Sequence, residues 1–351
     1  MMWRPPLRPA PSMTFVPGGN IDWAVSQLRA QLGKSAAIVA QPIDSRLGEL
    51  HRIEAVVGPT RRTYYLKKYA LASAGVTWSE HITGLGTVAG ALDGVPGLLP
   101  YTVIASDSIR QTILVAEMPG RPLIALHRAA ILSLRGRRDS IVAWRGVGRW
   151  LGRLHRFSEQ KVSGEWALGL AEDITVRLRQ WQQHDRGHAP LVDRAVSLTA
   201  LVARQLAARE LTLALCHVDV TVGNILVHGE SVGFIDYDDL RSDMPGTDVS
   251  QAELEIEEFS RAGSVVPIPF LKRQVLGAFR DGYGEPYPTG AELWLPRLRT
   301  WAVVLLTMSR APKPGGPAGI AARRRYLRTI AELRRSLSDG WLKQRPGRPG
   351  S

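Results

Sequence analysis

The chain is nearly free of cysteine and has no long apolar run. Cys216 is the single cysteine among 351 residues, which excludes an internal disulfide framework and favours a reducing, cytoplasmic compartment. The apolar run at 301–308 comes closest to a membrane span and is far too short for one. The first 19 residues are rich in proline and arginine and lack the apolar centre of a signal peptide. We therefore expect a disordered leader and no membrane span.

Acidic residues are scarce outside one segment. The formal net charge is +13, yet residues 211–262 carry 11 acidic and 2 basic side chains. A basic body could bind nucleic acid or an anionic membrane, or it could be an arginine-rich solvated surface. The sequence has no zinc finger, no RNA-recognition motif and no long basic run. The solvated surface is therefore favoured, and no specific nucleic-acid partner is expected.

The acidic segment contains a pattern that is typical of phosphoryl transfer. Residues 216–224 read Cys-His-Val-Asp-Val-Thr-Val-Gly-Asn, and a short apolar run then ends at Asp236. Phosphoryl transfer needs a carboxylate that orients the attacking hydroxyl and accepts its proton, which Asp219 could supply. It also needs hard oxygen ligands for Mg²⁺ beside the nucleotide phosphates, which Asn224 and Asp236 could supply. The pattern predicts a small-molecule kinase that uses ATP and Mg²⁺.

The flanking residues predict that these side chains converge. Residues 225–227 and 232–235 are short β-rich runs around a turn at 228–231, which is a hairpin pattern. Asp219 and Asn224 precede the first strand and Asp236 follows the second. Aspartate and asparagine also cap helices and build turns, but the ordered spacing of the set favours the catalytic interpretation.

This segment resembles the aminoglycoside phosphotransferase and choline kinase superfamily, whose signature is His-Gly-Asp-x4-Asn followed by Ile-Asp-x-x-Asp. The resemblance continues at 243–249, Asp-Met-Pro-Gly-Thr-Asp-Val, and covers most of the chain from residue 20 onward. The chain departs from it at Val218, where the family prefers glycine and a branched side chain restricts the backbone. The resemblance implies an α+β, bilobal, protein-kinase-like fold with a small antiparallel-sheet lobe and a mostly helical second lobe.

The residue pattern agrees with two lobes. We predict a nucleotide-binding lobe at 20–119, a catalytic and acceptor-binding lobe at 120–343, and a tail at 344–351. Within the first lobe, periodicity predicts a five-stranded antiparallel sheet with a helix packed on it. The predicted elements are helices at 20–32 and 77–89 and strands at 36–40, 50–57, 63–69, 98–105 and 109–116.

The resemblance also implies the nucleotide-binding residues. Lys67 is the candidate for the lysine that pairs with the α- and β-phosphates, and Lys68 is the adjacent alternative on the opposite face of the strand. Glu80 would orient that lysine, or it would close a capping box with Thr77 at the start of a helix. The phosphate-covering loop at 45–50 has one glycine, with Ser45 and Arg46 as possible phosphate contacts.

Five further positions receive roles from the resemblance. Glu117 and Met118 match the hinge whose backbone binds the adenine edge. His217 is expected to organise the catalytic loop by hydrogen bonding, and Asp248 to accept hydrogen bonds from that loop while capping the next helix. Asp238 is a candidate metal-site residue, which would either bind the metal itself or contact a residue that binds it.

The acceptor is the least determined part. Glu253 and Glu257 share a helix face, and in the family such acids often hold amine-bearing acceptors; they could instead be a solvated face opposite arginine-rich helices.

Three functions remain open. The favoured one is an ATP-dependent phosphotransferase acting on a hydroxyl of an aminoglycoside, sugar or amino alcohol. The others are a non-catalytic nucleotide-binding pseudokinase and a basic module that binds nucleic acid or a lipid surface.

Overall fold

A computed structural model describes residues 19–43, 49–69, 76–262, 269–310 and 316–338. The predicted tail, all but one residue of the predicted leader, and the candidate phosphate contacts Ser45 and Arg46 lie outside these ranges. Within the part of the chain that is described, none of the helices is long and apolar enough to cross a membrane.

The N-terminal part is a five-stranded antiparallel sheet with one helix on each face. A five-stranded antiparallel sheet is what the sequence predicts for this lobe, and its strand order is β1-β2-β3-β5-β4. The elements are α1 (Asn20–Leu32), β1 (Ala37–Ile43), β2 (Leu50–Val57), β3 (Thr60–Lys68), α2 (Trp78–Leu92), β4 (Val103–Asp107) and β5 (Thr112–Ala116).

Alternation along β5 explains this layering. Leu114 points to the cluster that α1 covers with Ala24 and Leu28. Its neighbours Ile113 and Val115 point to the other face and join the cluster that contains Leu85 and Val88 of α2. Because successive side chains of a strand face opposite sides, the apolar run of β5 is buried on both faces.

The predicted strand at 98–105 starts later than expected, at Val103. Leu98 and Leu99 instead contact the hairpin that precedes Asp236: the N–H of Leu99 donates to the carbonyl of Val232 at 2.8 Å, and Leu98 forms an isolated parallel bridge to Val232. This segment therefore links the end of α2 to the second part of the molecule.

The second part is mostly helical, as predicted, and contains two small sheets. Its elements are β6 (Arg121–Pro122), α3 (Leu123–Leu132), α4 (Leu134–Phe157), β7 (Gln160–Ser163), α5 (Trp166–His184), α6 (Ala189–Ala207), β8 (Glu210–Cys216), β9 (Ile225–His228), β10 (Ser231–Phe234), β11 (Arg241–Asp243), α7 (Gly246–Ala262), α8 (Pro269–Tyr283), α9 (Gly290–Arg310) and α10 (Gly316–Ser338).

The predicted hairpin is β9–β10, and β6 pairs with its outer edge. Gly120 makes that pairing possible, because it has a φ of 127° and a Cβ there would lie 2.8 Å from the carbonyl oxygen of Val227. The second sheet, β11-β8-β7, is not evident from the sequence, since β7 and β11 are short and partly exposed and show no clear alternation.

Two clusters of large side chains hold the helical part together. Trp144 and Trp150 of α4 are fully buried beside the hairpin, and Trp181 of α5 is fully buried beside α9. These three tryptophans are core residues. Cys216 is also fully buried.

Candidate active site

The loop between β8 and β9 is held by side chains of α7. Asp248 accepts hydrogen bonds from the backbone N–H groups of His217 (Oδ2, 2.8 Å) and Val218 (Oδ1, 2.8 Å). Val218 adopts a φ of 68°, the left-handed conformation that a glycine would adopt without strain. The bonds to Asp248 hold this conformation although the residue is not a glycine.

Two more residues of α7 continue this support. Gln251 accepts from the N–H of Val220 at 2.8 Å and donates to the carbonyl of Val218. Glu255 accepts from the N–H of Val222 at 3.3 Å. Positions 248, 251 and 255 lie on one helix face. Sequence reasoning missed Gln251 and this role of Glu255, and their spacing after Asp248 is the signal that could have found them.

Asp248 is charged although it is completely buried. Burial by itself would raise its pKa, but hydrogen bonds from His155 and the loop backbone hold the pKa below its usual value. His155 of α4 lies with Nε2 3.1 Å from Oδ2 of Asp248 and with Nδ1 2.9 Å from the hydroxyl of Tyr283. His155 therefore stabilises the carboxylate on which the loop depends, a role that its position at the end of a helix does not reveal.

His217 lies in the loop as a neutral hydrogen-bonding group. Its Nδ1 accepts from the N–H of Asp219 at 3.3 Å, and its Nε2 donates to the carbonyl of Ile235 at 3.0 Å. Burial lowers its pKa, and nearby carboxylates oppose that effect only in part. The ring therefore ties the loop to the residue that precedes Asp236.

Asp219 and Asn224 are directly bonded. Nδ2 of Asn224 donates to Oδ2 of Asp219 at 2.6 Å and to the backbone carbonyl of Asp219 at 3.2 Å. Burial raises the pKa of the Asp219 carboxyl above its usual value, which makes it a better proton acceptor than an exposed aspartate. Because the amide nitrogen of Asn224 is used in this way, its Oδ1 is the atom that could bind a cation.

Lys67 reaches across the cleft to two carboxylates. Its Nζ bonds to Oδ1 of Asp236 and Oδ1 of Asp238. Burial would raise the pKa of Asp236, but Lys67 lowers it below the usual value. Burial, with the charge of Asp236 beside it, leaves the pKa of Asp238 above the usual value despite Lys67. Asp236 has a φ of 67°, so the backbone turns sharply where the two carboxylates meet.

This donor set fits a divalent cation. Asp236 and Asp238 each direct one oxygen at the same ammonium group, so both carboxylates could reach a single cation. Asn224 adds a neutral amide oxygen from the adjacent loop. Carboxylate and amide oxygens are the ligands that Mg²⁺ binds in nucleotide sites.

Lys67 and Lys68 are clearly distinguished. Lys67 is half-buried, whereas Lys68 is exposed. The ammonium group of Lys67 also lies 5.1 Å from the centre of the Tyr69 ring. Lys67 is therefore the lysine that β3 directs into the cleft.

Glu80 closes the start of α2. Its Oε2 accepts from the backbone N–H of Thr77 at 2.8 Å and from the Thr77 hydroxyl at 2.7 Å, and these bonds lower its pKa. Among the described residues, Lys67 forms its ion pairs with Asp236 and Asp238 and not with Glu80. In this conformation the capping interpretation applies, and the expected pairing with Lys67 does not form.

The hinge residues lie between the two parts. The N–H of Glu117 donates to the carbonyl of Thr63 at 2.9 Å, and Tyr65 donates its hydroxyl to Oε1 of Glu117 at 3.1 Å. Met118 is buried against Gly233 of β10, where an added Cβ would overlap its sulfur. Met118 thus connects the hinge to the hairpin that leads to Asp236.

A cavity of about 350 Å³ opens beside Asp219. Residues 218–221 of the catalytic loop form part of its wall, together with Gln251 and Glu255 of α7 and Asp239. Four arginines contribute most of its remaining charge: Arg177, Arg241, Arg299 and Arg325. A small molecule in this cavity would contact Asp219, so it is the candidate acceptor site.

Glu253 and Glu257 do not line this cavity, and the amine-binding role considered for them is not supported. Glu253 is buried and accepts hydrogen bonds from Tyr287 (2.8 Å) and Arg280 (2.7 Å), and it also pairs with Arg297. Glu257 pairs with Lys272 at 2.8 Å. Basic side chains from α8 and α9 neutralise these acids, as the alternative interpretation of the sequence allowed.

A protein-family model matches most of the chain. Residues 55–292 match the model of the phosphotransferase enzyme family. No curated protein matches the chain.

Several solved structures share the fold. A glucosamine kinase in complex with glucosamine, ADP and inorganic phosphate is 14% identical, with a TM-score of 0.58 over 91% of this chain and 86% of that one. A putative aminoglycoside phosphotransferase from Ralstonia eutropha JMP134 is 12% identical, with a TM-score of 0.55 over 90% and 98%. A choline kinase from Cryptosporidium parvum Iowa II is 12% identical, with a TM-score of 0.54 over 92% and 98%. The bilobal, kinase-like architecture expected from the sequence is thereby confirmed.

Proposed function

Because the chain belongs to the phosphotransferase enzyme family, we propose that it transfers the γ-phosphate of ATP, bound with Mg²⁺, to a hydroxyl group of a small molecule. The observation that carries this proposal is the bonded pair of Asp219 and Asn224 at the mouth of a cavity. A hydroxyl in that cavity would meet a carboxylate held in one orientation, and proximity of this kind lowers the barrier to transfer.

The roles of the residues follow from their positions. Asp219 orients the acceptor hydroxyl and takes its proton, and the pKa raised by burial favours that transfer. Asn224 holds the carboxylate in place. Lys67 supplies a positive charge for the phosphates of the nucleotide, and the backbone around Glu117 and Met118 supplies the edge on which adenine would bind. Mg²⁺, held by Asn224, Asp236 and Asp238, would neutralise phosphate charge during transfer.

The pseudokinase alternative was suggested by Val218 and by the poor phosphate loop. Val218 nevertheless has the backbone conformation of a glycine, and the base and all three candidate metal ligands are present. We therefore favour a catalytic protein. Sugars, amino alcohols and aminoglycosides are acceptors to try first, since similar structures include a glucosamine kinase, a choline kinase and a putative aminoglycoside phosphotransferase. The single, buried Cys216 favours the cytoplasm.

The test measures ADP formation from ATP and Mg²⁺ with a panel of hydroxyl acceptors. Replacing Asp219 by Asn should lower kcat by about two orders of magnitude or more, because a general base contributes this much, while the KM for ATP stays the same. Asp239→Asn is the matched control, since Asp239 lines the same cavity and should affect kcat much less. Equal turnover of wild type and Asp219→Asn would contradict the proposal.

A further inference from the structure

The cavity beside Asp219 has guanidinium groups from four separate elements. Arg177 comes from α5, Arg241 from β11, Arg299 from α9 and Arg325 from α10. All four are only partly exposed, at 16–34% of their side-chain surface. Charged side chains are rarely buried this far without a partner, so the partners of these four decide what the cavity can bind.

Three of the arginines form one chain of ion pairs. Arg177 donates through Nε to both oxygens of Asp173 at 2.9 and 3.0 Å. Arg299 donates through Nε to Asp173 at 2.9 Å and through Nη1 to Asp243 at 2.7 Å, and Arg241 donates through Nε to Asp243 at 3.3 Å. Three guanidinium groups therefore share two carboxylates, which leaves one positive charge in excess.

The geometry of these pairs leaves donors available. Arg177 and Arg241 use only Nε, and Arg299 uses Nε and Nη1, in the hydrogen bonds made among the described residues. Asp173 and Asp243 are not among the residues that line the cavity, whereas the three arginines are. The terminal nitrogens that remain are the planar, paired donors that match a carboxylate or a phosphate.

Two of the three carboxylates that line the cavity already have partners. Asp219 is the proposed base and is bonded to Asn224. Glu255 accepts from the loop backbone at Val222 and pairs with Arg325 at 3.4 Å. The third, Asp239, is exposed. An ammonium group in this cavity would therefore face four guanidinium groups, and of the lining carboxylates Asp239 alone could pair with it without displacing a partner described here.

We propose that the acceptor carries an anionic group, a carboxylate or a phosphate, in addition to the hydroxyl that is phosphorylated, and that Arg177, Arg241 and Arg299 bind this group. The inference rests on the proposed function, because it names the class of acceptor for the same site. It reverses the expectation of an amine-bearing acceptor that the acidic segment of the sequence raised.

The first test compares glucose with derivatives in which one hydroxyl group is replaced by, or converted to, a charged group. Glucose, glucosamine, glucuronate and glucose 6-phosphate are assayed for ADP formation with saturating ATP and Mg²⁺. We expect kcat/KM for glucuronate or glucose 6-phosphate to exceed that for glucose by about tenfold or more, as one charge-assisted hydrogen bond would provide. The better of the two identifies the anionic group as a carboxylate or a phosphate. Equal or higher kcat/KM for glucose or glucosamine would overturn the inference.

The second test uses two arginines of the same helix. Arg177→Gln should raise the KM of the preferred anionic acceptor about tenfold and leave the KM values of ATP and glucose unchanged. Arg179→Gln is the matched control, because Arg179 also pairs with an aspartate, Asp193, at 2.6 Å and does not line the cavity. If Arg177→Gln changes nothing, or if both variants change the KM equally, the inference is wrong.

A binding measurement separates this inference from the proposed function. Calorimetric titration with glucuronate and with glucosamine needs no turnover. If no acceptor gives ADP formation that depends on Asp219, the proposed function fails. The inference still stands if glucuronate binds more tightly than glucosamine and Arg177→Gln, but not Arg179→Gln, abolishes the difference. Binding of glucosamine as tight as that of glucuronate refutes the inference.

Discussion

The loop that carries Asp219 and the strand that carries Lys67 face the same cleft, but they are fixed by different means. The loop is held by Asp248, Gln251 and Glu255, whose side chains bond to backbone N–H groups. Lys67 is held by its ion pairs with two carboxylates. Asp248 has no exposed surface, whereas Lys67 and Asp236 keep 23% and 35% of theirs.

This difference separates a preformed site from one that can rearrange. Hydrogen bonds from buried backbone groups to a buried carboxylate are costly to break. Ion pairs between partly exposed groups contribute little to stability, so a nucleotide and a metal ion can replace them. If the proposed function holds, Asp219 would be oriented before substrates bind, while Lys67, Asp236 and Asp238 would change partners when a nucleotide and a metal ion arrive.

The largest effect on nucleotide binding is expected from variants of the proposed metal ligands. Asp236→Ala should weaken Mg²⁺-dependent binding of ATP by about a hundredfold, because it removes a charged ligand. Asn224→Ala should weaken it by about tenfold, because the amide is neutral. Titration of Mg²⁺ with a fluorescent ATP analogue measures both. An unchanged metal dependence in the two variants would remove these residues from the metal site.

The next largest effect is on the free energy of unfolding, and it tests the loop that Asp248 holds. Asp248→Asn should lower the free energy of unfolding by about 3 kcal/mol, because it removes a buried charge that accepts three hydrogen bonds. Asp193→Asn, which breaks the exposed pair with Arg179, should have almost no effect. Denaturant unfolding monitored by tryptophan fluorescence measures both.

The effect of Asp248 should also depend on pH. Its pKa is lowered in the folded state, so its stabilising contribution is fully present above the unfolded-state pKa of about 3.9. That contribution is lost as the pH falls through the lower, folded-state pKa. The difference between wild type and Asp248→Asn should therefore be large at neutral pH and should shrink in strong acid. A difference that stays constant with pH would mean that the charge is not what stabilises the loop.

The smallest effect distinguishes the two roles considered for Glu80. Glu80→Gln should leave the KM for ATP unchanged and slightly lower the thermal stability, because the side chain caps α2. Lys67→Met should raise the KM for ATP by about tenfold, since it removes a charge from the phosphates. A similar rise in KM for both variants would restore the orienting role of Glu80.

The sequence predicts the parts of the site that lie close together in the chain. Asp219, Asn224 and Asp236 are recognisable because their spacing and the hairpin between them are local features. The strands of the sheet also follow from local signals, since alternation and short turns define them, but the insertion of β5 between β3 and β4 does not. Val218 is an exception. The sequence shows a branched side chain where the resemblance expects glycine, but it does not show the backbone hydrogen bond to Asp248 that holds the loop.

The parts that were missed come from distant elements. Arg177 and Arg299 are ordinary helical arginines until α5 and α9 bring them to one cavity. The partners of Glu253 are hidden for the same reason. Its spacing from Glu257 is visible in the sequence, but Arg280 and Arg297, which neutralise it, and Tyr287, which donates a hydrogen bond to it, are brought there by α8 and by residues after it. Long-range pairing of charges depends on tertiary structure and leaves no periodic signal.

The bonds of Asp248 also constrain the order in which the molecule can fold. They join residues that are 30 and 31 positions apart, and the β9–β10 hairpin lies between them. A nascent chain that has emerged as far as Asp238, just past this hairpin, already contains the proposed base and metal ligands, but it lacks the acceptor for the loop's amides. Until α7 docks, no hydrogen bond to Asp248 offsets the cost of the left-handed backbone at Val218. The active-site loop is therefore completed late, by a helix made after all of the catalytic side chains.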